Sequence, residues 1–106
     1  MNQHDLEAFL DCVDLNYQSE HPAHPGLQFS GRNQVRKNWS GIFDSIPDFS
    51  AILVRAISDA HVVWAEWDWQ GTRRDESPFH LRGVTLFEVR NDRIVSGRLY
   101  MEPVDR

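Results

Sequence analysis

The change in hydrophobic period at Pro47 limits the fold of this chain more than any other feature of its sequence. Before Pro47 the apolar residues recur at helical spacing, whereas after it they alternate with polar residues in four segments. Only a few residues link these segments, so neighbouring strands should be antiparallel. The predicted class is α+β, with residues 1–106 forming one domain in which a curved antiparallel sheet packs on helices. The four predicted strands are Phe49–Ser58, Val62–Gln70, Pro78–Arg90 and Ile94–Glu102.

Two helices are predicted before Pro47. Asp5 is a candidate N-cap for the first helix, which continues to about Val13. Ser30 is a candidate N-cap for the second helix, and Pro47 ends it. Each helix has an apolar stripe that should face the core, formed by Leu6, Phe9, Leu10 and Val13 in the first and by Val35, Trp39, Ile42, Phe43 and Ile46 in the second.

The connecting segments complete this outline. Tyr17–Glu20 has the length of a short strand, and the two prolines of His21–Gly26 favour a loop. The pair Asn91–Asp92 predicts a tight hairpin turn, because both side chains tolerate positive φ.

Alternation along the last three predicted strands separates two faces of the sheet. One face is nearly all apolar and should meet the helices, and Gly83 and Gly97 on it allow close approach or curvature. The residues of this inner face are Val63, Ala65, Trp67, Trp69, Phe79, Leu81, Gly83, Thr85, Phe87, Val95, Gly97, Leu99 and Met101.

The opposite face mixes paired charges with apolar residues, which is the composition of a subunit interface. We expect a homodimer through this face. A solvated sheet face with isolated apolar residues is the alternative. The residues expected at the interface are Trp64, Glu66, Arg82, Val84, Arg98 and Tyr100.

Charge and composition exclude several classes of partner. The net charge of −5 argues against nucleic acids and anionic lipid surfaces. The sequence lacks an apolar run of the ~20 residues that a membrane span needs. It also lacks a secretory signal at its start, and its single cysteine, Cys12, suits a reducing compartment. We therefore expect a soluble, cytoplasmic protein.

The tryptophans suggest a ligand pocket. Trp67 and Trp69 should face Trp39 and Phe43 across the inner side of the sheet, and such an apolar lining is typical of small-molecule sites. The alternative is that these rings simply fill the core. The candidate ligand-binding residues are Trp39, Phe43, Ala65, Trp67, Trp69, Leu81, Gly83, Thr85, Phe87, Leu99 and Met101.

The order and spacing of five short tracts resemble the SnoaL-like group of the nuclear transport factor 2-like superfamily, over almost the whole chain. The resemblance implies a cone-shaped sheet that encloses a pocket and often dimerises through its outer face. It also implies that most of the family's first helix is lacking, because the chain begins where that helix should be ending. The tracts are His4–Leu6, Gly31–Val35, Trp64–Thr72, Arg82–Phe87 and Ile94–Glu102.

The same resemblance bears on chemistry. Enzymes of this superfamily hold carboxylates inside the cone, but here Trp67, Trp69 and Leu99 resemble the positions of the epoxide hydrolase set. Thr85 resembles the position of the isomerase's proton-donating acid.

The remaining candidates for catalysis are Tyr17, Ser19 and His21, which could polarise a carbonyl or orient a water. Their alternative role is structural, with Tyr17 as a core residue and His21 as part of a loop. Glu20, His21 and His24 have no further ligand at diagnostic spacing, so we predict no metal and no cofactor.

Three hypotheses follow. The first is a SnoaL-like protein that binds a small hydrophobic or polycyclic molecule, with activity of the isomerase, polyketide cyclase or hydrolase/hydratase type. The second is a binding module without chemistry. The third is a protein-interaction module that works through the outer face of the sheet.

Overall fold

The computed structural model describes residues 6–105 and confirms the α+β class. The elements, in chain order, are α1 (Leu6–Asp11), β1 (Val13–Glu20), a 3₁₀ turn (Pro25–Leu27), β2 (Phe29–Ser30), α2 (Arg32–Ser45), β3 (Ser50–Asp59), β4 (Val62–Thr72), β5 (Pro78–Arg90) and β6 (Arg93–Pro103).

All of these strands belong to one six-stranded sheet in the order β2-β1-β6-β5-β4-β3. Strands β3 to β6 form the predicted antiparallel meander. Strand β1 is different, because it lies parallel to β6 with Ser19 opposite Gly97. The prediction of a wholly antiparallel sheet therefore misses one junction. This junction places the side chains of β1 beside those of β6.

The N-terminal helix is shorter than its apolar stripe predicts. It ends at Asp11, and Val13 begins β1 four residues before the predicted strand start at Tyr17. The Ile94 N–H donates to the Cys12 carbonyl across 2.7 Å, so the backbone has already joined β6 at this point. Val13 is only 1 % exposed, but it reaches the core from a strand rather than from a helix. The predicted cap, Asp5, lies outside the described residues.

The second helix begins one residue later than predicted. Ser30 does not cap it, because Ser30 pairs with Gln18 of β1 as part of β2. Gly31 takes the N-cap position at φ 97°, in the left-handed region that favours glycine, and its N–H donates to the Tyr17 carbonyl across 2.7 Å. The helix ends before Pro47, as predicted.

Three irregularities interrupt the register of the sheet. They fall between Val13 and Gln18 of β1, between Leu53 and Arg55 of β3 and between Glu88 and Val89 of β5. The predicted hairpin at Asn91–Asp92 is present, and its two residues have φ of 51° and 63°. After Val89 pairs with Ile94, Glu88 pairs with Ser96, so Val95 is left out of the register and Ile94 packs against the core instead.

Apart from Val95, the register confirms the inner face of the sheet, where Trp67 pairs with Gly83 and Thr85 pairs with Leu99. Helices α1 and α2 cover this face. At one end of the core, aromatic rings pack in contact with centroid separations of 5.5–6.1 Å. We call this group the aromatic cluster; it contains Trp39, Phe43, Phe49, Trp69 and Phe79.

Candidate functional site

A cavity of about 250 Å³ lies between the inner face of the sheet, β1 and α2. Most of its lining is apolar, and within residues 6–105 no Asp, Glu, Lys or Arg contributes to it. Five of the lining residues are polar, and one of them, Asn38, comes from α2. The five are Tyr17, Ser19, His21, Asn38 and Thr85.

The structure brings together all three candidate catalytic residues and six of the predicted ligand-binding residues. The six that line the cavity are Trp39, Trp67, Trp69, Thr85, Phe87 and Leu99. The other five lie outside the lining: Phe43, Ala65, Leu81, Gly83 and Met101. Phe43 packs into the aromatic cluster, and Leu81 and Met101 pack against the core. Gly83 lies directly against the Tyr100 carbonyl.

Sequence reasoning missed part of the lining. Five of the missed residues are ordinary apolar groups, and Val35 and Ile42 could have been found because they share the apolar face of α2 with Trp39. Asn38 carried no such signal, because it is an exposed polar residue whose side chain accepts a hydrogen bond from Gln34 across 2.8 Å. The missed lining residues are Phe9, Phe29, Val35, Asn38, Ile42 and Ala51.

Tyr17 is buried in β1, and its hydroxyl lies against Gly97 of β6. A methyl group at Gly97 would overlap that hydroxyl, so the glycine makes room for it. Burial raises the pKa of Tyr17, and a hydrogen bond with Ser19 opposes this rise. The phenol is therefore neutral near pH 7 and remains able to donate a hydrogen bond.

Alternation along β1 places Ser19 beside Tyr17 on the cavity side, and His21 follows at the end of the strand. Ser19 is buried and His21 is partly buried. Burial lowers the pKa of His21, and the nearby His24 lowers it further. His24 is held in place by Glu102, with 2.8 Å between Nε2 and Oε1.

Thr85 of β5 and Trp67 of β4 form a polar pair in the lining of the cavity. The Trp67 indole N–H donates to the Thr85 hydroxyl across 3.0 Å. Thr85 is only 1 % exposed. Its hydroxyl accepts this bond and keeps its own proton to donate.

The outer face of the sheet carries ion pairs and exposed apolar residues. Asp68 accepts hydrogen bonds from His80 at 2.8 Å and from Arg82 at 3.0 Å. Burial alone would raise the pKa of Asp68, but hydrogen bonds from Gln70, Arg82 and His80 outweigh it, so the pKa is lowered. The expected interface residues Trp64 and Tyr100 are exposed on this face.

The residues considered for metal binding have other partners. Glu20 pairs with Arg98 at 3.3 Å, and His24 pairs with Glu102. Within residues 6–105, no three His, Cys, Asp or Glu side chains come together in an arrangement that could hold a metal ion. None of the helices in the described part of the chain is long and apolar enough to cross a bilayer.

Solved structures share this fold. IdmH of Streptomyces antibioticus, a proposed polyketide cyclase, matches with a TM-score of 0.80 at 19 % identity, over 95 % of this chain and 83 % of that one. A proposed SnoaL-like polyketide cyclase from Jannaschia sp. CCS1 matches with a TM-score of 0.78 at 12 % identity, over 92 % of this chain and 72 % of that one. An NTF2-like protein from Anabaena variabilis matches with a TM-score of 0.78 at 22 % identity, over 93 % of this chain and 75 % of that one. Identities this low establish a common fold and no more.

The curved six-stranded sheet with its helices on the inner face is thus an NTF2-like fold. The SnoaL-like domain family matches residues 1–97, and the chain belongs to that family. A search of curated proteins gives no match.

Proposed function

We propose that this protein binds a small hydrophobic molecule in the cavity between α2 and the inner face of the sheet. The observation that carries the proposal is the cavity itself, whose walls are largely apolar with a few hydrogen-bonding groups. That combination is typical of ligand sites, where apolar walls supply affinity and a few polar groups fix orientation. Membership of the SnoaL-like family supports the same class of function.

Thr85 is the group best placed to orient the ligand. Its hydroxyl is fixed by the Trp67 indole, because the 3.0 Å hydrogen bond occupies one lone pair. We propose that the remaining proton is donated to a ligand oxygen such as a carbonyl. The Trp67 ring, held by the same bond, then offers an apolar wall beside that oxygen.

A second candidate function is catalysis of the isomerase, cyclase or hydratase type. It is favoured by the placement of Tyr17, Ser19 and His21 on one wall of the same cavity. A neutral His21 could take a proton from a carbon next to a carbonyl, while the Tyr17 hydroxyl donates a hydrogen bond to the oxygen that gains charge. Since none of the described residues contributes a carboxylate to the cavity, His21 is the base available among the lining residues.

We further propose that the outer face of the sheet forms a homodimer interface. Trp64 is 50 % exposed and lies between Ile57, which is 66 % exposed, and Leu86 in adjacent strands. The neighbouring charges are already paired, as in Arg55–Glu66 at 3.2 Å and Asp68–Arg82. Because each of these charges has a partner within the subunit, covering the face with a second copy leaves none of them buried without an opposite charge. If the cavity binds nothing, this face becomes the functional surface of an interaction module.

The exposed free thiol of Cys12 leads us to propose a reducing compartment such as the cytoplasm. Cys12 does not line the cavity, so the compartment has no bearing on the proposed ligand site.

Tryptophan fluorescence during titration with hydrophobic ring compounds tests the binding proposal, because three of the four tryptophans line the cavity. We expect a saturable change with at least one compound. A saturable fluorescence change that is the same in Trp64→Phe as in the wild type but altered in Trp67→Phe would locate the binding in the cavity. A flat response to the whole panel would contradict the proposal and favour the interaction module.

Deuterium exchange of the protons next to the carbonyl of 1-tetralone in D₂O, followed by NMR, tests the catalytic proposal. The wild type should accelerate exchange, and Tyr17→Phe and His21→Gln should each slow it by ~10²-fold or more. Binding without faster exchange would leave the protein as a non-catalytic binding module.

A further inference from the structure

We infer that the cavity selects an uncharged ligand of one or two fused rings and that Trp39 sets the upper limit of its size. This inference rests on the proposed binding function and specifies the class of ligand. Of the two ligand classes expected from the sequence, a small hydrophobic or a polycyclic molecule, it selects the smaller.

The volume of the cavity limits the size of the ligand. At about 250 Å³ the cavity is larger than the ~150 Å³ cavities that bind benzene and smaller than the ~300–1,000 Å³ pockets that hold drug-sized ligands. A compact molecule of one or two rings fits this interval. A skeleton of three or four fused rings would have to displace wall residues, among them Trp39 and Trp69, which are in contact with each other in the aromatic cluster.

The aromatic cluster limits the volume of the cavity. The aromatic cluster fills the adjacent part of the core, with T-shaped contacts between Trp39 and Trp69 at 5.5 Å and between Trp39 and Phe49 at 5.6 Å. Trp39 and Trp69 both belong to this cluster and also line the cavity, Trp39 from α2 and Trp69 from β4. Their indoles therefore separate the filled part of the core from the open part, and Trp39 forms the helix side of that boundary.

The cavity also selects its ligand by charge. Among the residues that the structure describes, no Asp, Glu, Lys or Arg lines it. The neighbours of lining residues along the strands point to the outer face and are paired there, as Glu20 is with Arg98 and Asp68 is with Arg82. Tyr17 and His21 add no charge near pH 7, since burial acts against ionisation of both. An ionised ligand would lose its hydration without gaining an opposite charge, so the cavity should reject it.

Acetyl-substituted arenes test both limits by isothermal titration at pH 8. Acetophenone, 2-acetylnaphthalene and 2-acetylphenanthrene carry the same head group on one, two and three fused rings. We expect the first two to bind and the three-ring ketone to bind roughly tenfold or more weakly than the two-ring ketone. The carboxylate 2-naphthoate, matched to 2-acetylnaphthalene in size, should be weaker by a similar factor.

Trp39→Leu should restore the three-ring ketone to within about threefold of the affinity for the two-ring ketone, because the smaller side chain enlarges the cavity. Trp64→Leu, the same change on the outer face, is the matched control and should leave the selectivity unchanged. Trp39→Phe, a smaller truncation, should shift selectivity in the same direction by less, and its circular dichroism should match the wild type.

The outcomes separate the two proposals. Equal binding of the two-ring and three-ring ketones, or of 2-naphthoate and 2-acetylnaphthalene, would overturn the inference while leaving the binding function intact. An equal gain in Trp64→Leu would overturn the role of Trp39. If no compound bound, the proposed function itself would fail.

Discussion

Tyr17 and His21 are the ionisable side chains of the cavity lining, and they differ in what holds them neutral. For Tyr17 the cause is burial, which raises its pKa against the effect of Ser19. For His21 the cause is burial together with the positive charge that His24 can carry, and its pKa is lowered. Gly97 adds a geometric constraint, since any larger residue would displace the Tyr17 hydroxyl.

The lowered pKa of His21 predicts a loss of stability and of ligand binding in acid. The unfolded chain binds a proton near the usual pKa of 6.5, whereas the folded protein binds it only at lower pH. The stability contributed by neutral His21 is therefore fully present above pH 6.5. It is lost as the pH falls from 6.5 to the lower pKa of the folded state. An NMR titration of the His21 ring should give a midpoint below 6.5.

His24→Gln tests the second cause of that shift. Removing the neighbouring charge should raise the His21 midpoint toward 6.5 without reaching it, because burial remains. His80→Gln, a change on the far side of the sheet, serves as the control. A His21 midpoint that does not move in His24→Gln would contradict the assigned coupling.

The hydrogen bond between Trp67 and Thr85 predicts different effects for two substitutions at one position. Thr85→Val leaves a buried indole N–H without an acceptor and should reduce the free energy of unfolding by ~1–3 kcal/mol. Thr85→Ser keeps the hydroxyl and should cost less. Urea denaturation of both variants checks this, and equal losses would show that the hydroxyl has no role in stability.

At the scale of elements, the start of α2 depends on one glycine and its interior contains another. Gly31 has a φ of 97°, whereas Gly41 lies within the helix with nothing within 4 Å of an added Cβ. Gly31→Ala should therefore destabilise the protein by ~1 kcal/mol or more, because alanine strains this backbone. Gly41→Ala should stabilise it by ~0.5–1 kcal/mol, since alanine is the better helix former. Chemical denaturation compares the two variants; a Gly31→Ala variant as stable as the wild type would contradict the assigned role of Gly31, and a loss in Gly41→Ala would contradict the expected gain in the helix.

These elements also show how far the sequence predicts the structure. The last three strands and their inner face were predictable because alternation with short turns leaves one register that buries Trp67 and Trp69. The boundary between α1 and β1 was not, because Val13 fits both a helical stripe and a strand. Ser30 has the chemistry of a cap but is drawn into β2 by pairing with Gln18.

Some residues of the candidate site could likewise be predicted from the sequence and others could not. Strand alternation identified Trp67, Thr85 and Leu99, which line the cavity. It also included Phe43 and Met101, because it cannot distinguish a side chain at a cavity from one packed in the core. Asn38 reaches the cavity from a helix, where a single exposed polar residue gives no signal.

At the scale of the whole molecule, the outer face of the sheet predicts self-association. Trp64→Glu places a charge among Ile57 and Leu86 and should convert the proposed dimer to a monomer. Light scattering after size-exclusion chromatography measures the change. Leu15→Glu is the control, since Leu15 is 60 % exposed on β1. Arg82→Glu should also dissociate the dimer, but it removes a partner of Asp68 as well. A monomeric wild type, or a Trp64→Glu variant that stays dimeric, would contradict the interface.

The central claim is that the cavity beside Thr85 binds a small uncharged molecule, and the indole N–H resonances of the four tryptophans test it most directly. The account predicts that 2-acetylnaphthalene, added during ¹H–¹⁵N NMR titration, shifts the Trp67 and Trp39 signals saturably. The signal of Trp64, on the outer face, should stay where it is. Movement of Trp64 alone, or no saturable movement of any indole with this ligand or its one-ring analogue, would contradict the claim.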